Sequence, residues 1–371
     1  MKRKTKGAVL FEAGKPWQIV ELDLDEPREE EILVRFAATG LCHSEVHAAN
    51  GNIQTKLPVV GGHEAAGVVE EVGSRVTRVR PGDKVITTFS PSCGVCEYCS
   101  TGRQSICVLT AGLATGELPA GGFRFHHRGK DVSSFSMLGS FAERAVISQY
   151  SVVKVAPSTD LLTAALFSCG IPTGWGTAAI AGNVEPGQVV VIFGAGGIGM
   201  NAVQGAAYSG ASEVIVVEPV RMKRELAKKF GATQTFATAQ EAVTAITKLT
   251  GGVMADKALV TVGEVTSDIA LAAQNSVGRS GEVVITALAR QTFSISAPSD
   301  IMLTQQKVIR GSLYGSTSPQ FHIPHLLDLY RTGDLKVDGL ITRTYSLDEI
   351  NTGYQHLLNG EIVRGMVVHK H

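Results

Sequence analysis

The chain lacks what would tie it to a polyanion or a membrane. Its 34 basic side chains are matched by 34 acidic ones, and no long run of one sign breaks the balance, so nothing calls for nucleic acid. Long hydrophobic runs are missing too: none approaches the roughly 18 uncharged apolar residues that a membrane-spanning helix needs. The basic start, Met1-Lys-Arg-Lys-Thr-Lys6, is followed by only Ala8-Val-Leu-Phe11 before Glu12, too short an apolar core for a secretory signal. The reading is a cytoplasmic protein without a membrane partner. Cysteine is scarce, and four of the six lie between positions 93 and 107. In a reducing compartment that clustering argues for metal rather than disulfides. Internal repeats and low-complexity segments are absent.

What is present is a globular composition, 44% apolar and 18% charged, in 371 residues. That length exceeds one usual core, so two domains are expected. The chain is organised around Val189-Val-Val-Ile-Phe-Gly194-Ala-Gly196-Gly197-Ile-Gly199. Apolar, mostly β-branched residues meet a glycine cluster and then Met200-Asn-Ala-Val, which reads as strand, tight turn and helix. Gly194 lets the chain reverse, Gly196 lets backbone approach a pyrophosphate, and Gly199 lets the helix pack on the strand, while the helix N-terminus offers oriented N–H groups. A second strand, Glu213-Val-Ile-Val-Val217, ends at Glu218, about 20 residues beyond the glycines, where an acid that binds ribose is expected. The bland alternative is a glycine-rich loop in an ordinary α/β domain.

From Lys6 to Val155, short β-type segments (Ala8–Phe11, Ile32–Ala37, Ala66–Val72, Lys84–Thr88, Glu143–Ile147, Val152–Val155) are punctuated by Gly, Pro and Asp. An irregular β-barrel-like domain is predicted there. A more helical region begins at Leu161–Leu166. From Val189 strands alternate with helices, the latter at Met222–Phe230, Ala239–Thr250 and Ile269–Asn275, with further strands at Ala258–Val262 and Val283–Ala287. That alternation predicts a parallel, doubly wound sheet. It ends near Tyr314. Helices at His322–Arg331 and Leu347–Asn359 and a last strand at Met366–His369 then form a tail too short for its own domain, which returns to the first one.

Cys93-Gly-Val-Cys96-Glu-Tyr-Cys99 and Cys107 offer four thiolates with two, two and seven residues between them. Two-residue gaps loop backbone around one tetrahedral ion, and four sulfurs close its shell, as in a structural zinc site. An iron–sulfur cluster uses the same ligands and is the rival reading. Cys42, His63 in Gly61-Gly-His-Glu64, and Cys169 in Phe167-Ser-Cys-Gly170 are dispersed. Singly, each reads as an ordinary small apolar or hydrogen-bonded residue. Ligands of the type Cys₂His with an open position make a catalytic zinc, but spacing alone does not join these.

The run Gly62-His-Glu-Ala-Ala-Gly67, with Gly73 and Val76 after it, resembles the signature of zinc-containing alcohol dehydrogenases of the medium-chain dehydrogenase/reductase superfamily. The resemblance extends through Gly40-Leu-Cys-His-Ser44, the four-cysteine lobe, Cys169-Gly-Ile-Pro-Thr-Gly174, the dinucleotide turn and Arg364. Pro172-Thr-Gly-Trp175 and Ser100-Thr-Gly-Arg-Gln104 are similar to the actinobacterial nicotinoprotein alcohol dehydrogenases, which use nitrosoaniline dyes. The resemblance implies an α/β protein: a GroES-like β-barrel catalytic domain (1–170 and 314–371, its zinc lobe at about 93–107) interrupted by a doubly wound Rossmann domain (171–313), with the active site in the cleft between them. It makes Cys42, His63 and Cys169 the ligands of a catalytic zinc, two zinc ions per chain in all, with Glu64 and Glu45 behind them.

The implied reaction is reversible hydride transfer between a primary or secondary alcohol and NAD(H), the cofactor staying bound in the nicotinoprotein subgroup. Ser44 matches the hydroxyl that relays the alcohol's proton, and His47 the imidazole that passes it on, a role suited to an unperturbed pKa of about 6.5. Gly194, Gly196, Gly197 and Gly199 would cradle the pyrophosphate. Glu218 would bond the ribose hydroxyls and repel a 2′-phosphate, favouring NAD over NADP. Lys223 and Arg364 match contacts to ribose and pyrophosphate, and His43 stands where mammalian enzymes have arginine. Thr173 and Ile198 would abut the nicotinamide, and Phe89 would line the substrate pocket. His126-His127 reads as a surface or pocket-rim pair. The implied partners are a small-molecule alcohol or aldehyde and further copies of the chain, as homodimer or homotetramer, with Val308–Leu313 as candidate interface. Two alternatives remain. One is a formaldehyde dehydrogenase dependent on a thiol other than glutathione, since Ile53 and Ala111 replace an acid and an arginine of the glutathione-dependent enzymes. The other is a non-enzymatic cofactor-binding protein, although such members commonly lack the zinc ligands.

Overall fold

The computed structural model describes residues 3–370; Met1, Lys2 and His371, including the first residues of the basic start, lie outside the described residues. The chain divides into two compact units. One runs up to Cys169 and takes in Ser318–Asp328 and the chain from Val337 onward; the other comprises Gly170–Thr317 and Leu329–Lys336.

In the first unit the strands Arg3–Leu10, Gln18–Leu24, Phe125–His127, Lys130–Ser134 and Val59–Val60 close into a barrel. Gln18–Leu24 escapes the sequence reading because Glu21 and Asp23 break its apolar run. Its alternation is nonetheless regular, with Leu22 and Leu24 buried and the two acids outward. A second, seven-stranded sheet is built around Glu31–Gly40, which pairs antiparallel with Ala65–Val72, Arg144–Ser148 and, from the far end of the chain, Arg364–Val368. One apolar core of this unit gathers Val9, Leu22, Val34, Phe36, Val69, Phe125 and Ile147.

The second unit is a single parallel sheet of six strands: β1 (Val189–Phe193), β2 (Glu213–Val217), β3 (Gln234–Phe236), β4 (Ala255–Val260), β5 (Val277–Ile285) and β6 (Val308–Gly311). Their order across the sheet is β3-β2-β1-β4-β5-β6, the doubly wound arrangement with its switch point beside β1. One row, Ile215, Val191, Ala258, Val283 and Ile309, crosses five strands in register, and β-branched residues buried on both faces suit it. Glu282 on β5 accepts from Lys257 of β4 at 2.9 Å and from Arg310 of β6 at 2.5 Å, which ties the edge strand down. The tail does not return wholly to the first unit. Lys336 exchanges backbone bonds with the Gln204 amide at 2.7 and 2.9 Å and gives its ammonium to the Lys229 carbonyl, holding Leu329–Lys336 in the second. No helix among the described residues is long and apolar enough to cross a membrane.

A buried ion pair anchors the long segment before Phe125. Arg124 meets Glu31 through both carboxylate oxygens at 2.8 and 2.5 Å, with side chains 1% and 2% exposed. The Arg28 N–H adds a third donor to Glu31. Arg124→Met leaves this carboxylate buried and unpaired, a loss on the order of 3–5 kcal/mol. The expected outcome is a markedly lower thermal midpoint for Arg124→Met, largely recovered in the double variant Arg124→Met/Glu31→Gln; equal midpoints for wild type and single variant contradict it.

Candidate active site and metal centres

The four-cysteine lobe is a turn followed by short helices at Glu97–Ser100 and Gln104–Ile106. Gly94, at φ +85°, makes the turn that the spacing requires. Pairs of Sγ atoms lie 3.6 Å (Cys93, Cys107), 3.7 Å (Cys96, Cys107) and 3.9 Å (Cys93, Cys99) apart. Sulfurs about 2.3 Å from a tetrahedral zinc are separated by about 3.8 Å, so the donor set fits that ion. It does not fit disulfides, and all six cysteines are free. Backbone N–H groups of Val95 and Cys96 point at Cys93 Sγ at 3.4 and 3.3 Å. Backbone N–H groups at Val108 and Cys99 pull the Cys96 thiol down to about 6, whereas burial pushes Cys99 up to about 12. Four sulfurs this close ionise together only around a cation. Sequence reading missed Arg78, which has no motif around it. Its guanidinium donates to the Ser92 carbonyl at 2.9 Å, lies over the Tyr150 ring and feels the Cys93, Cys99 and Cys107 sulfurs, offsetting part of the charge four thiolates bring.

Cys42, His63, Glu64 and Cys169 form a second, buried group, one ligand atom from each lying within 4.8 Å of the others. Strand pairing brings the first three together. Thr39 faces Ala65, and the Gly40 N–H donates to the Glu64 carbonyl at 2.7 Å, so Cys42 and His63 leave the same end of two paired strands. The glycines of the motif are where backbone passes too close for a side chain. A Cβ on Gly62, at φ +88°, would fall 2.5 Å from the Phe141 nitrogen, and one on Gly40 would fall 2.3 Å from Glu64 Oε2. Cys169 arrives from far along the chain. Its neighbour Ser168 is pinned by Thr87 Oγ1 at 2.8 Å and the Ala65 N–H at 3.1 Å, and nothing in the residue pattern announces this.

His63 Nδ1 donates to Glu45 Oε1 at 2.6 Å, which leaves Nε2 as the nitrogen for a metal. Burial lowers the imidazole's proton affinity, but Glu45 and Cys42 outweigh it and raise His63 to about 10. The Cys42 thiol is held well below its ordinary value by the Cys169 thiol and His63, against the effect of burial. Two thiols and a carboxylate-backed histidine make a donor set that calls for a cation and fits zinc of the Cys₂His type. Glu64 forms an ion pair with Arg364 inside this unit. Phe89 and Phe135 present ring edges to His63 at centroid distances of 5.4 and 5.5 Å.

Ser44 and His47 lie on the helix His43–Ala49, an element for which the sequence analysis has no prediction. Ser44 Oγ is 3.5 Å from Cys42 Sγ; one turn on, His47 is only 3% exposed, with Nδ1 3.4 Å from the Asn52 amide. His126 and His127 stand apart from both clusters. His126 is held between Asp25 and Asp131 at 2.8 and 3.0 Å, and His127 reaches the Glu21 carbonyl.

In the second unit Gly194 turns at φ +91°, and a Cβ on Gly199 would meet the Gly194 carbonyl oxygen at 2.0 Å. Gly196, by contrast, has nothing within 4 Å of its Cβ position, an open face at the N-cap of the helix Gly197–Tyr208. The Glu218 carboxylate accepts the Ala195 and Val220 N–H groups at 2.8 and 3.0 Å and so braces the same turn. Thr173 lies on the helix Gly170–Gly176, which approaches Ile198 closely enough that a Cβ on Gly174 would fall 2.1 Å from the Ile198 oxygen. Lys223 is half-buried on the next helix, Arg221–Lys229. His43 and Arg364 belong to the first unit.

Residues 28–157 match the alcohol dehydrogenase GroES-like domain family, and residues 197–330 match the zinc-binding dehydrogenase family. The chain therefore belongs to the zinc-containing alcohol dehydrogenases of the medium-chain dehydrogenase/reductase superfamily, oxidoreductases that act on alcohols. It is 50% identical to an NDMA-dependent alcohol dehydrogenase of Amycolatopsis methanolica over 367 residues, 99% of either chain. It is 51% identical to a putative alcohol dehydrogenase D of Mycobacterium tuberculosis over 369 residues, 99% of this chain and 100% of that one. Among solved structures, benzyl alcohol dehydrogenase of Acinetobacter calcoaceticus superposes with a TM-score of 0.91 at 29% identity, covering 99% and 100% of the chains.

The two donor sets predict separable losses. Cys96→Ser is expected to lower the thermal midpoint along with one zinc, because a closed site contributes folding energy. Cys42→Ser is expected to remove the other zinc and abolish activity with the midpoint little changed. Metal analysis, calorimetry and an alcohol assay on each variant check this; fully active wild type with one zinc contradicts it.

Proposed function

We propose that the chain transfers hydride between a primary or secondary alcohol and NAD(H), holds two zinc ions, and keeps its NAD through turnover. The observation that carries the reading is the buried convergence of Cys42, His63 and Cys169 with Glu45 behind the histidine. Zinc held by Cys42, His63 and Cys169 would supply Lewis acidity that lets an alcohol lose its proton near neutral pH, and NAD would supply the hydride acceptor. Ser44, beside Cys42, receives that proton, and His47 on the next helical turn accepts it from Ser44, its ring braced by Asn52. Phe89 offers an apolar wall next to His63 for the carbon end of the substrate. Gly196 and the helix N-terminus behind it receive the pyrophosphate, flanked by Gly194, Gly197 and Gly199. Glu218 takes the adenosine ribose and disfavours a 2′-phosphate. Thr173 and Ile198 bound the nicotinamide, with Lys223, His43 and Arg364 as further cofactor contacts.

Retention of NAD rests on the likeness to the NDMA-dependent enzyme and on the Pro172–Trp175 and Ser100–Gln104 motifs. A dye or an aldehyde then reoxidises the bound cofactor in place. The reading includes a homodimer or homotetramer built on β6, whose Val308 is 43% exposed and which pairs only with β5 among the described residues; an unpaired edge is a template for a second copy.

Gel-filtered protein, once denatured, is expected to release near-stoichiometric NAD(H) and, before denaturation, to oxidise alcohol with a nitrosoaniline dye and no added NAD. Empty protein that works only with added NAD contradicts retention. Val308→Lys is expected to shift the mass measured by light scattering toward the monomer; an unchanged mass contradicts the β6 contact.

A further inference from the structure

Behind Cys42 and His63 the first unit builds another layer. Tyr354, on the helix Ile350–Leu358, is 7% exposed; its ring stacks on Trp17 (6.4 Å between centroids, 23°) and stands edge-on to Phe141 (6.2 Å, 73°). This placement is fixed from several sides. The Asn351 side chain accepts the Trp17 backbone N–H at 3.0 Å and donates to the Trp17 carbonyl at 2.9 Å, clamping the Trp17 backbone to the helix whose Tyr354 its indole stacks on. Gly353 permits the close approach, since a Cβ there would come within 2.6 Å of Leu41 Cδ1, next to Cys42. The phenol hydroxyl, at the tip of this braced ring, is set toward Glu45 and Cys42, and burial beside those two groups pushes its pKa well above the ordinary phenol value.

Glu45 is fully buried and gives Oε1 to His63. Its Oε2 and the Tyr354 hydroxyl are both buried, and neither has a hydrogen-bond partner among the described residues. A buried acceptor without a donor and a buried hydroxyl without an acceptor are each unfavourable, and paired they satisfy one another.

We propose that Tyr354 is a positioning residue of the metal site, its O–H donating to Glu45 Oε2 while its oxygen accepts the Cys42 N–H, so that one side chain sets two ligands. Held at both oxygens, the Glu45 carboxylate cannot rotate, and His63 Nδ1 keeps its acceptor. The role rests on the zinc reading above. Partners of this kind orient imidazole ligands, and their loss typically costs 10–100-fold in metal affinity.

Tyr354→Phe removes the hydroxyl and keeps the ring on Trp17. The readouts are zinc transfer from purified protein to a chelating indicator and the ligand-field spectrum of the cobalt-substituted protein. The expected result is release of one zinc per chain about tenfold faster, with shifted cobalt bands and unchanged release from the four-cysteine lobe, while the Glu45 oxygen left without a donor lowers the thermal midpoint modestly. Glu45→Gln should reproduce the faster release, and Tyr354→Phe should have a smaller effect on that background than in wild type. Wild-type release with a wild-type cobalt spectrum in Tyr354→Phe, or effects of the two variants that simply multiply, would overturn the proposal. Wild-type protein that holds metal only at the four cysteines would overturn the zinc reading and the proposal together, and is recognised by metal content before any variant is made.

Discussion

The hydrogen bond from His63 Nδ1 to Glu45 is the contact on which the arrangement of the first unit's site depends. It fixes the imidazole tautomer, and so which nitrogen faces the two sulfurs. It also ties together two pieces of backbone that strand pairing alone would leave to splay: the helix that begins after Cys42 and the glycine turn that carries His63. Gly40 is small because it lies against the Glu64–Arg364 ion pair, and Gly62, beside His63, because the Ser140–Phe141 chain passes against it.

The two donor sets differ in a way that matches their settings. Four thiolates on a dication leave a net charge of minus two, and the lobe answers with backbone N–H groups aimed at sulfur and with the Arg78 guanidinium. Two thiolates with a neutral imidazole leave no net charge on the same ion, so less electron density is donated to the metal and more electrophilicity is left for a fourth ligand. Burial differs for half of the lobe. Cys93 and Cys96 are partly open to water, whereas Cys42, His63 and Cys169 are buried, as are Cys99 and Cys107.

How far each feature could be read from residues depends on how local its cause is. The glycine turn after β1 and the four-cysteine lobe are contiguous, and their spacing alone carries the chemistry. The Cys42, His63 and Cys169 group is not, because it relies on the register Thr39 against Ala65 and on Ser168 reaching Thr87; only the resemblance joined them. The strand Val59–Val60 was invisible because its length carries no period, and β3 because its residues are only half-buried and show no alternation. The helix His43–Ala49 has no side-chain cap and contains two histidines, so local propensity does not mark it. Its helical form is imposed by what packs around it. Arg124 with Glu31, and Arg78 with the lobe, are pairings of distant residues for which neither partner has a signature.

The strand Arg364–Val368 lies beside Glu31–Gly40, with Met366 opposite Gly40 and Val368 opposite Ala38, while the whole second unit is spelled out between them. Contact order in the first unit is correspondingly high, and closing its sheet requires the longest loop the chain has. During synthesis, the dinucleotide-binding sheet is complete while the metal-binding unit still lacks two strands, Ile341–Tyr345 and Arg364–Val368, and one side of its buried Glu64–Arg364 pair. The order of emergence from the ribosome thus has the insert folding before the host.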